Sequence, residues 1–212
     1  MVVVLLAWPA VAHANPDVVA AIREALSLAV ERSIATVGHP DGFYGNPSIR
    51  IPVPEQLNKA EARLRYVGQE RVVERFEATM NYAAEYAAPA ARPALLSAVN
   101  DLPLDDGRRV LAGGETAATD ALRRHALGRV IAALTPAAAQ ATERVGAARR
   151  YKRFLKDAQF GGLVNVPPVD LDAYVVTRTA DGIFHAIGQE ERRIRLDPTA
   201  RPSPLVRQVF GR

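Results

Sequence analysis

The sequence predicts an all-α fold, a compact single-domain helical bundle that one irregular segment rich in Pro and Gly interrupts at about residues 38–54. The chain is rich in Ala, Leu, Arg and Glu, which are strong helix formers, and its β-branched runs are short. Apolar residues recur with the helical period along most of its length. A chain of 212 residues without a long linker suits one domain, predicted over residues 15–212.

The N-terminal residues 1–14 differ from the rest and are expected to form a signal peptide. An apolar run from Val2 to Ala7 precedes Ala12-His13-Ala14, whose small residues suit a signal peptidase. No Lys or Arg precedes the run, although signal peptides normally carry one, and a buried first strand or an apolar chain end is the alternative. A membrane span takes about 20 apolar residues, so the run is too short for one. We therefore expect export to the periplasm.

The first helix of the mature chain is predicted from apolar residues at every fourth position. Asp17 stands where an N-cap belongs, and Gly38 stands where a helix C-terminus belongs. The apolar stripe consists of Val18, Ile22, Leu26, Val30 and Ile34.

Residues 38–54 hold too many Gly and Pro residues for a helix. Ile49, Ile51 and Val53 alternate with other residues, as they would in a strand. Pro52 and Pro54 lack the backbone donor that a strand needs. We therefore expect an extended segment laid across the bundle, outside any sheet.

Helical periodicity returns at Pro54, a residue suited to a first helical turn. Further helices are predicted over residues 54–67, 69–88, 90–100 and 105–111. A long pair over 116–134 and 136–158 is expected to be broken or kinked at Pro136, because proline removes a backbone hydrogen bond. Asp170 is expected to cap a last long helix that reaches about Leu196, before a short turn at 205–210.

Two polar residues of the third helix share one face, because Asn81 and Glu85 are four residues apart. That face is turned away from the apolar stripe of Val72, Phe76 and Met80. A solvated helix face is one interpretation. The other is a groove lining or a polar contact with a second helix.

The last helix carries a carboxylate in line with its apolar stripe. The stripe consists of Val176, Ala180, Ile183, Ile187 and Ile194, and Glu191 follows Ile187 by four residues. A buried carboxylate needs a partner, and Arg195 stands four residues on, in the favourable order for a helical ion pair. The alternative is a ligand-binding cluster of Asp181, Glu191 and Arg195 that faces Asn81 and Glu85 across a cleft.

A basic helix face is the second candidate site. Its members are Arg144, Arg149, Arg150, Lys152, Arg153 and Lys156, opposite an apolar side that includes Tyr151, Phe154 and Leu155. Most such faces are only solvated. The functional alternative is a contact with anionic lipid headgroups or polysaccharide, which salt would weaken. Export makes nucleic acid an unexpected partner.

The sequence carries no motif for catalysis, for a cofactor or for a metal. It has no Cys, which excludes disulfides and thiolate chemistry. His39, His125 and His185 lack the spacing of metal ligands, and His125 and His185 are interpreted as structural imidazoles with satisfied hydrogen bonds. No serine lies in a nucleophile elbow, and no glycine-rich phosphate loop is present.

Motifs spread along the mature chain resemble the bacterial domain of unknown function 4197. The resemblance covers residues from about 16 to 211 and implies an exported helical protein, but no reaction. Its motifs are Asp41-Gly42-Phe43, Asn46-Pro47, Ile51-Pro52-Val53-Pro54, Leu64-Arg65 with Gly68, Met80-Asn81, Ala83-Ala84-Glu85, Gly113-Gly114, Ala117-Ala118-Thr119, Tyr174-Val175, Ala180-Asp181-Gly182-Ile183-Phe184, Glu190-Glu191, Ile194-Arg195 and Val209-Phe210-Gly211.

Three functions follow as hypotheses. The first is a periplasmic, non-catalytic binding module for an anionic envelope component or another envelope protein. The second is a hydrolase that uses Glu85, Asp181 or Glu191 as acid and base. The third is a structural or chaperone-like protein that acts through its apolar helix faces.

Overall fold

The computed structural model describes residues 16–104, 107–158 and 169–211, and the expected signal peptide lies outside these ranges. The described chain is all-α, as the composition predicts, and contains no strand. Its helices are α1 (Pro16–Val37), α2 (Asn58–Tyr66), α3 (Glu70–Ala87), α4 (Arg92–Asn100), α5 (Gly107–Ala112), α6 (Ala117–Val145), α7 (Ala147–Ala158), α8 (Leu171–Leu196) and α9 (Pro204–Phe210), with short 3-10 turns at Glu55–Leu57, Ala88–Ala91 and Pro198–Ala200.

Three long helices form the centre of the bundle. α8 packs on α1 and on α6, and α3 packs on both α6 and α8. The stripe predicted for α8 is fully buried, as is the α1 stripe from Ile22 onward. In α3 the structure buries Val73, whereas the predicted Val72 is only partly covered.

The irregular segment, residues 38–54, forms no strand, as predicted, but the expectation of an extended path was wrong for most of it. Residues 38–49 consist largely of successive turns closed by local main-chain hydrogen bonds, and only residues 50–54 are free of turns. Ile49, Ile51 and Val53 are all buried, and Phe43 is completely enclosed. The segment therefore contributes to the core even though it has no sheet partner.

The break that was predicted at Pro136 lies ten residues later. α6 continues through Pro136, which is exposed, and ends at Gly146. A helix tolerates a proline where solvent can bind the carbonyl that the ring leaves unpaired. Gly146 adopts φ 72°, the left-handed conformation that ends helices and that glycine adopts without steric cost. α6 and α7 are therefore separate helices joined at this glycine.

Phe43 seats the irregular segment on α8 at Gly182. A Cβ atom at Gly182 would lie 2.4 Å from Cε1 of the Phe43 ring, and 3.4 Å from Ile49. Because the Phe43 ring is enclosed on all sides, it has little room to move away. Only glycine allows the segment this close approach.

Gly182→Ala is therefore expected to lower the free energy of unfolding by about 1–3 kcal/mol, the cost of overpacking a core. The direction is opposite to the general rule, because Ala is favoured over Gly in a helix by about 1 kcal/mol. Gly128→Ala in α6 is the matched control, since a Cβ there meets nothing within 4 Å. Urea denaturation should show Gly128→Ala as stabilising. If Gly182→Ala also stabilised the protein, the packing of Phe43 on α8 would be contradicted.

No helix of the described ranges is both long enough and apolar enough to span a membrane.

Candidate functional site

Asn81 of α3 pairs with the main chain of the irregular segment as a neighbouring strand would. Its Oδ1 accepts from the Ile51 amide at 2.8 Å, and its Nδ2 donates to the Ile51 carbonyl at 2.8 Å. Nδ2 also donates to the Glu77 carbonyl, so the fully buried side chain has a partner for each of its polar atoms. The amide therefore supplies hydrogen bonds that the segment cannot obtain from a sheet.

Two glutamates continue this pairing along the same face of α3. The Glu77 side chain accepts from the Val53 amide, and burial is the main cause that raises the Glu77 pKa. Glu85 Oε1 accepts from the amides of Phe43 and Tyr44, each at 3.1 Å. Residues 77, 81 and 85 thus form a polar ladder, with four-residue spacing, that holds the segment.

This ladder corrects the interpretation of the Asn81 and Glu85 face as a solvated surface. Glu85 is 6% exposed and Asn81 is 0% exposed, because the irregular segment covers the face. Helical periodicity alone treats a polar face as solvated, and it cannot show that a distant loop folds back over it.

Glu191 of α8 binds the N-terminus of α6. Its carboxylate accepts from the amides of Ala118 at 3.0 Å and Thr119 at 2.7 Å, and from the Thr119 hydroxyl at 2.6 Å. The first amides of a helix have no partner inside it and carry the positive end of its dipole. A carboxylate that is 3% exposed therefore neutralises this helix end from a neighbouring helix.

Arg195 forms the ion pair with Glu191 that the spacing predicts, at 2.8 Å. Its remaining donors reach the carbonyls of Leu111 at 2.9 Å and Val110 at 3.0 Å, in α5. The pair therefore connects α8 with α5 and α6, and its hydrogen bonds satisfy the buried Glu191 and the largely covered Arg195.

The structure does not assemble the expected polar cluster. Asn81 and Glu85 bind the irregular segment, whereas Glu191 and Arg195 bind α5 and α6. Asp181 is partly exposed and pairs with Arg123 of α6. These partners lie in different parts of the bundle, so the five residues do not meet across one cleft.

A groove of about 400 Å³ opens between the irregular segment, the start of α6 and α8. We call it the arginine groove, because one arginine from each of these elements lines it. Its charged and titratable lining residues are Arg50, Arg123, Arg178, Asp120, Asp181 and His185.

Each of the three groove arginines lies over an aromatic ring. The guanidinium carbon of Arg50 is 3.9 Å from the centroid of Tyr44. Arg123 lies 5.5 Å from Phe184, and Arg178 lies 5.4 Å from Tyr174.

Tyr174 also connects α8 with the irregular segment beside the groove, because its hydroxyl donates to the Pro52 carbonyl at 3.1 Å. Burial raises the pKa of Tyr174, and a hydrogen bond with Arg178 opposes that rise.

Local sequence patterns predict Asp181 as a candidate site residue, but they do not predict the arginine groove. Its arginines come from three distant parts of the chain, so no local pattern contains them. The one local signal is the four-residue spacing of Tyr174 and Arg178, which places ring and guanidinium on one helix face.

The histidines differ from one another in the structure. His125 Nε2 lies 3.1 Å from Asp101 Oδ1, in accord with a structural role. Two hydrogen bonds, a stronger one from Arg129 and a weaker one from His125, lower the pKa of Asp101 to about 2. His185 is exposed at the arginine groove and makes no hydrogen bond with any described residue, so the expectation of a satisfied imidazole was wrong there. No group of three or more possible metal ligands occurs in the described ranges.

The basic face occupies α7 and the last turn of α6. Its six members are all exposed, while Ala147, Phe154 and Ala158 on the other side of α7 are buried in the core. Arg153 has an ion pair with Asp157 at 3.3 Å, and Arg144 lies 5.5 Å from the Tyr86 ring.

Comparison with known proteins identifies the family of the chain. The model of the family described as "Protein of unknown function (DUF4197)" matches residues 12–211. No curated protein matches the chain. No solved structure matches it either. Because the family model covers nearly the whole sequence, the chain belongs to the DUF4197 family, as the motifs of its helices and of its irregular segment indicate.

Proposed function

We propose that this protein is an exported, non-catalytic binding module whose basic face contacts the anionic phospholipid headgroups of an envelope membrane. The observation that carries the proposal is the exposure of all six cations of this face: Arg144, Arg149, Arg150, Lys152, Arg153 and Lys156. Only Arg153 has a carboxylate partner among the described residues. The face therefore keeps a strong positive charge that a lipid surface would complement.

The way α7 is packed determines how it would bind. An amphipathic helix that inserts into a bilayer needs a free apolar side. The apolar side of α7 is occupied, since the Phe154 ring packs at a tilt against the Phe76 ring of α3, with centroids 4.9 Å apart. Binding would therefore be electrostatic, at about 1 kcal/mol for each Lys or Arg near the surface.

The hydrolase hypothesis has less support, because its carboxylates already serve as acceptors. Glu85 and Glu191 bind main-chain amides, and Asp181 pairs with Arg123. A general acid or base needs a proton site that faces the substrate. The chaperone-like hypothesis also has less support, because most apolar residues of the described helices are packed in the core and few large ones, such as Tyr66 and Leu196, are exposed.

Vesicle co-sedimentation tests this proposal. Vesicles that contain phosphatidylglycerol should bind the protein at about 50 mM salt and release it as the Debye length shortens at higher salt. The triple variant Arg149→Gln, Arg150→Gln, Arg153→Gln should bind about 3 kcal/mol more weakly, at about 1 kcal/mol per cation.

A second triple variant, Arg71→Gln, Arg75→Gln, Arg124→Gln, is the matched control, because these exposed arginines lie on α3 and early α6. It removes the same net charge and should bind as the unmodified protein does. Equal losses in both triples would contradict a specific face. Binding to a lipid-free anionic polysaccharide but not to the vesicles would contradict the membrane surface as the partner.

A further inference from the structure

We infer that the arginine groove is a preformed binding site for a small sugar-like anion, a polyol that carries one phosphate or carboxylate group. This site shares no residue with the basic face, so its test is independent of the membrane proposal.

The charges in the groove are unequally paired. Arg123 has a carboxylate partner in Asp181. Arg50 and Arg178 have no ion pair with any described residue, although both line the same groove. With Asp120 as the second carboxylate of the lining, the three arginines leave a net positive charge before His185 is counted. An anion in the groove would meet two guanidinium groups that have no ion pair with a described residue, although Arg178 also hydrogen-bonds Tyr174.

The aromatic rings beneath the arginines prepare them for this role. A guanidinium that stacks on a ring keeps its edge donors exposed and loses part of its rotational freedom before any ligand arrives. Such preorganisation lowers the entropic cost of binding. A planar guanidinium also matches the two oxygens of a phosphate or carboxylate.

The rest of the lining suits hydroxyl groups. Ser48, Thr116 and Gln189 supply hydroxyl and amide groups, and Asp120 supplies an acceptor beside Thr116, whose hydroxyl donates to it at 3.3 Å. A volume of about 400 Å³ lies in the range of small-molecule sites. Together these features fit a polyol the size of one sugar, with its anionic group at Arg50 and Arg178.

The walls of the groove are held by the buried polar groups described above. Asn81 holds Ile51, the residue between Arg50 and Pro52 of the groove lining. Glu191 holds Thr119, another lining residue. The groove is therefore built on fixed backbone, as a site that does not need to form on binding.

Calorimetric titration at low salt with four probes tests the inference: glucose 6-phosphate, glucuronate, glucose and inorganic phosphate. At least one of the two sugar anions should bind about tenfold or more tightly than both glucose and inorganic phosphate. Whichever of the two sugar anions binds more tightly shows whether the natural ligand is phosphorylated or carboxylated. If neither sugar anion bound, the inferred site would be overturned. The same would follow if inorganic phosphate bound as tightly as the two sugar anions.

Single variants locate the binding. Arg50→Gln and Arg178→Gln should each lower the affinity for the sugar anion about tenfold or more, because each substitution removes a charged hydrogen bond. Arg124→Gln is the matched control, since Arg124 is exposed beside Arg123 and does not line the groove. Arg50 is exposed, so its variant should unfold at the same temperature as the unmodified protein. If both groove variants bound like Arg124→Gln, the assignment would be overturned.

Discussion

Glu191→Gln is expected to lower the free energy of unfolding by about 3–5 kcal/mol, the cost of removing one partner from a buried ion pair. The carboxylate accepts from two amides of α6, from the Thr119 hydroxyl and from Arg195. A glutamine has nearly the same shape but replaces one acceptor oxygen with an NH2 group. That group would face donors, and the Arg195 charge would lose its partner. Chemical denaturation measures the change.

Glu115→Gln is the matched control for this substitution. Glu115 also pairs with an arginine, Arg192 at 3.0 Å, but both side chains are about half exposed. An exposed ion pair contributes about 0–1 kcal/mol, so the control should change little. If Glu191→Gln were as mild as Glu115→Gln, the carboxylate would not support α6 as we describe.

Asn81→Ala is expected to lower the free energy of unfolding by about 2–4 kcal/mol. The substitution leaves the amide and the carbonyl of Ile51 without their partner in a buried position. Each unsatisfied buried group costs about 1–3 kcal/mol. Urea denaturation measures the effect, and the loss of order should concentrate in residues 43–53.

Asn100→Ala is its control, because Asn100 is exposed at the end of α4. A surface substitution of this kind stays within about 0.5 kcal/mol. An Asn81→Ala protein with unchanged stability would mean that the irregular segment does not depend on the ladder of α3.

Most of the fold follows from local patterns, because helical periodicity is a local property. The α8 stripe, the burial of Glu191 and its pairing with Arg195 were all predictable from spacing within one helix. The α6 amides that complete the Glu191 site were not, because they come from a distant part of the chain. The position of the helix break was missed because Pro136 is exposed and tolerated, while Gly146 adopts the left-handed conformation.

The candidate site was less predictable than the fold for the same reason. The spacing of Asn81 and Glu85 predicts a polar face, and both side chains bind the main chain of the irregular segment. Phe43, Asn81, Glu85, Gly182 and Glu191 belong to the motifs on which the family resemblance rests, and each has a supporting role in the structure. This explains why those motifs indicate a fold and no reaction. The basic residues that carry the proposed functions stand outside those motifs.

Amide hydrogen exchange at Ile51, Phe43 and Tyr44 tests the central claim most directly, that buried polar side chains of α3 hold the irregular segment. These amides lie outside any helix or sheet. Without the side chains of α3 they would exchange as rapidly as the amides of an unsupported loop. We predict protection comparable to that of the α3 core, with faster exchange at the exposed Ser48, whose amide bonds only to the Asn46 side chain. Exchange of all four amides at the unprotected rate would contradict the account.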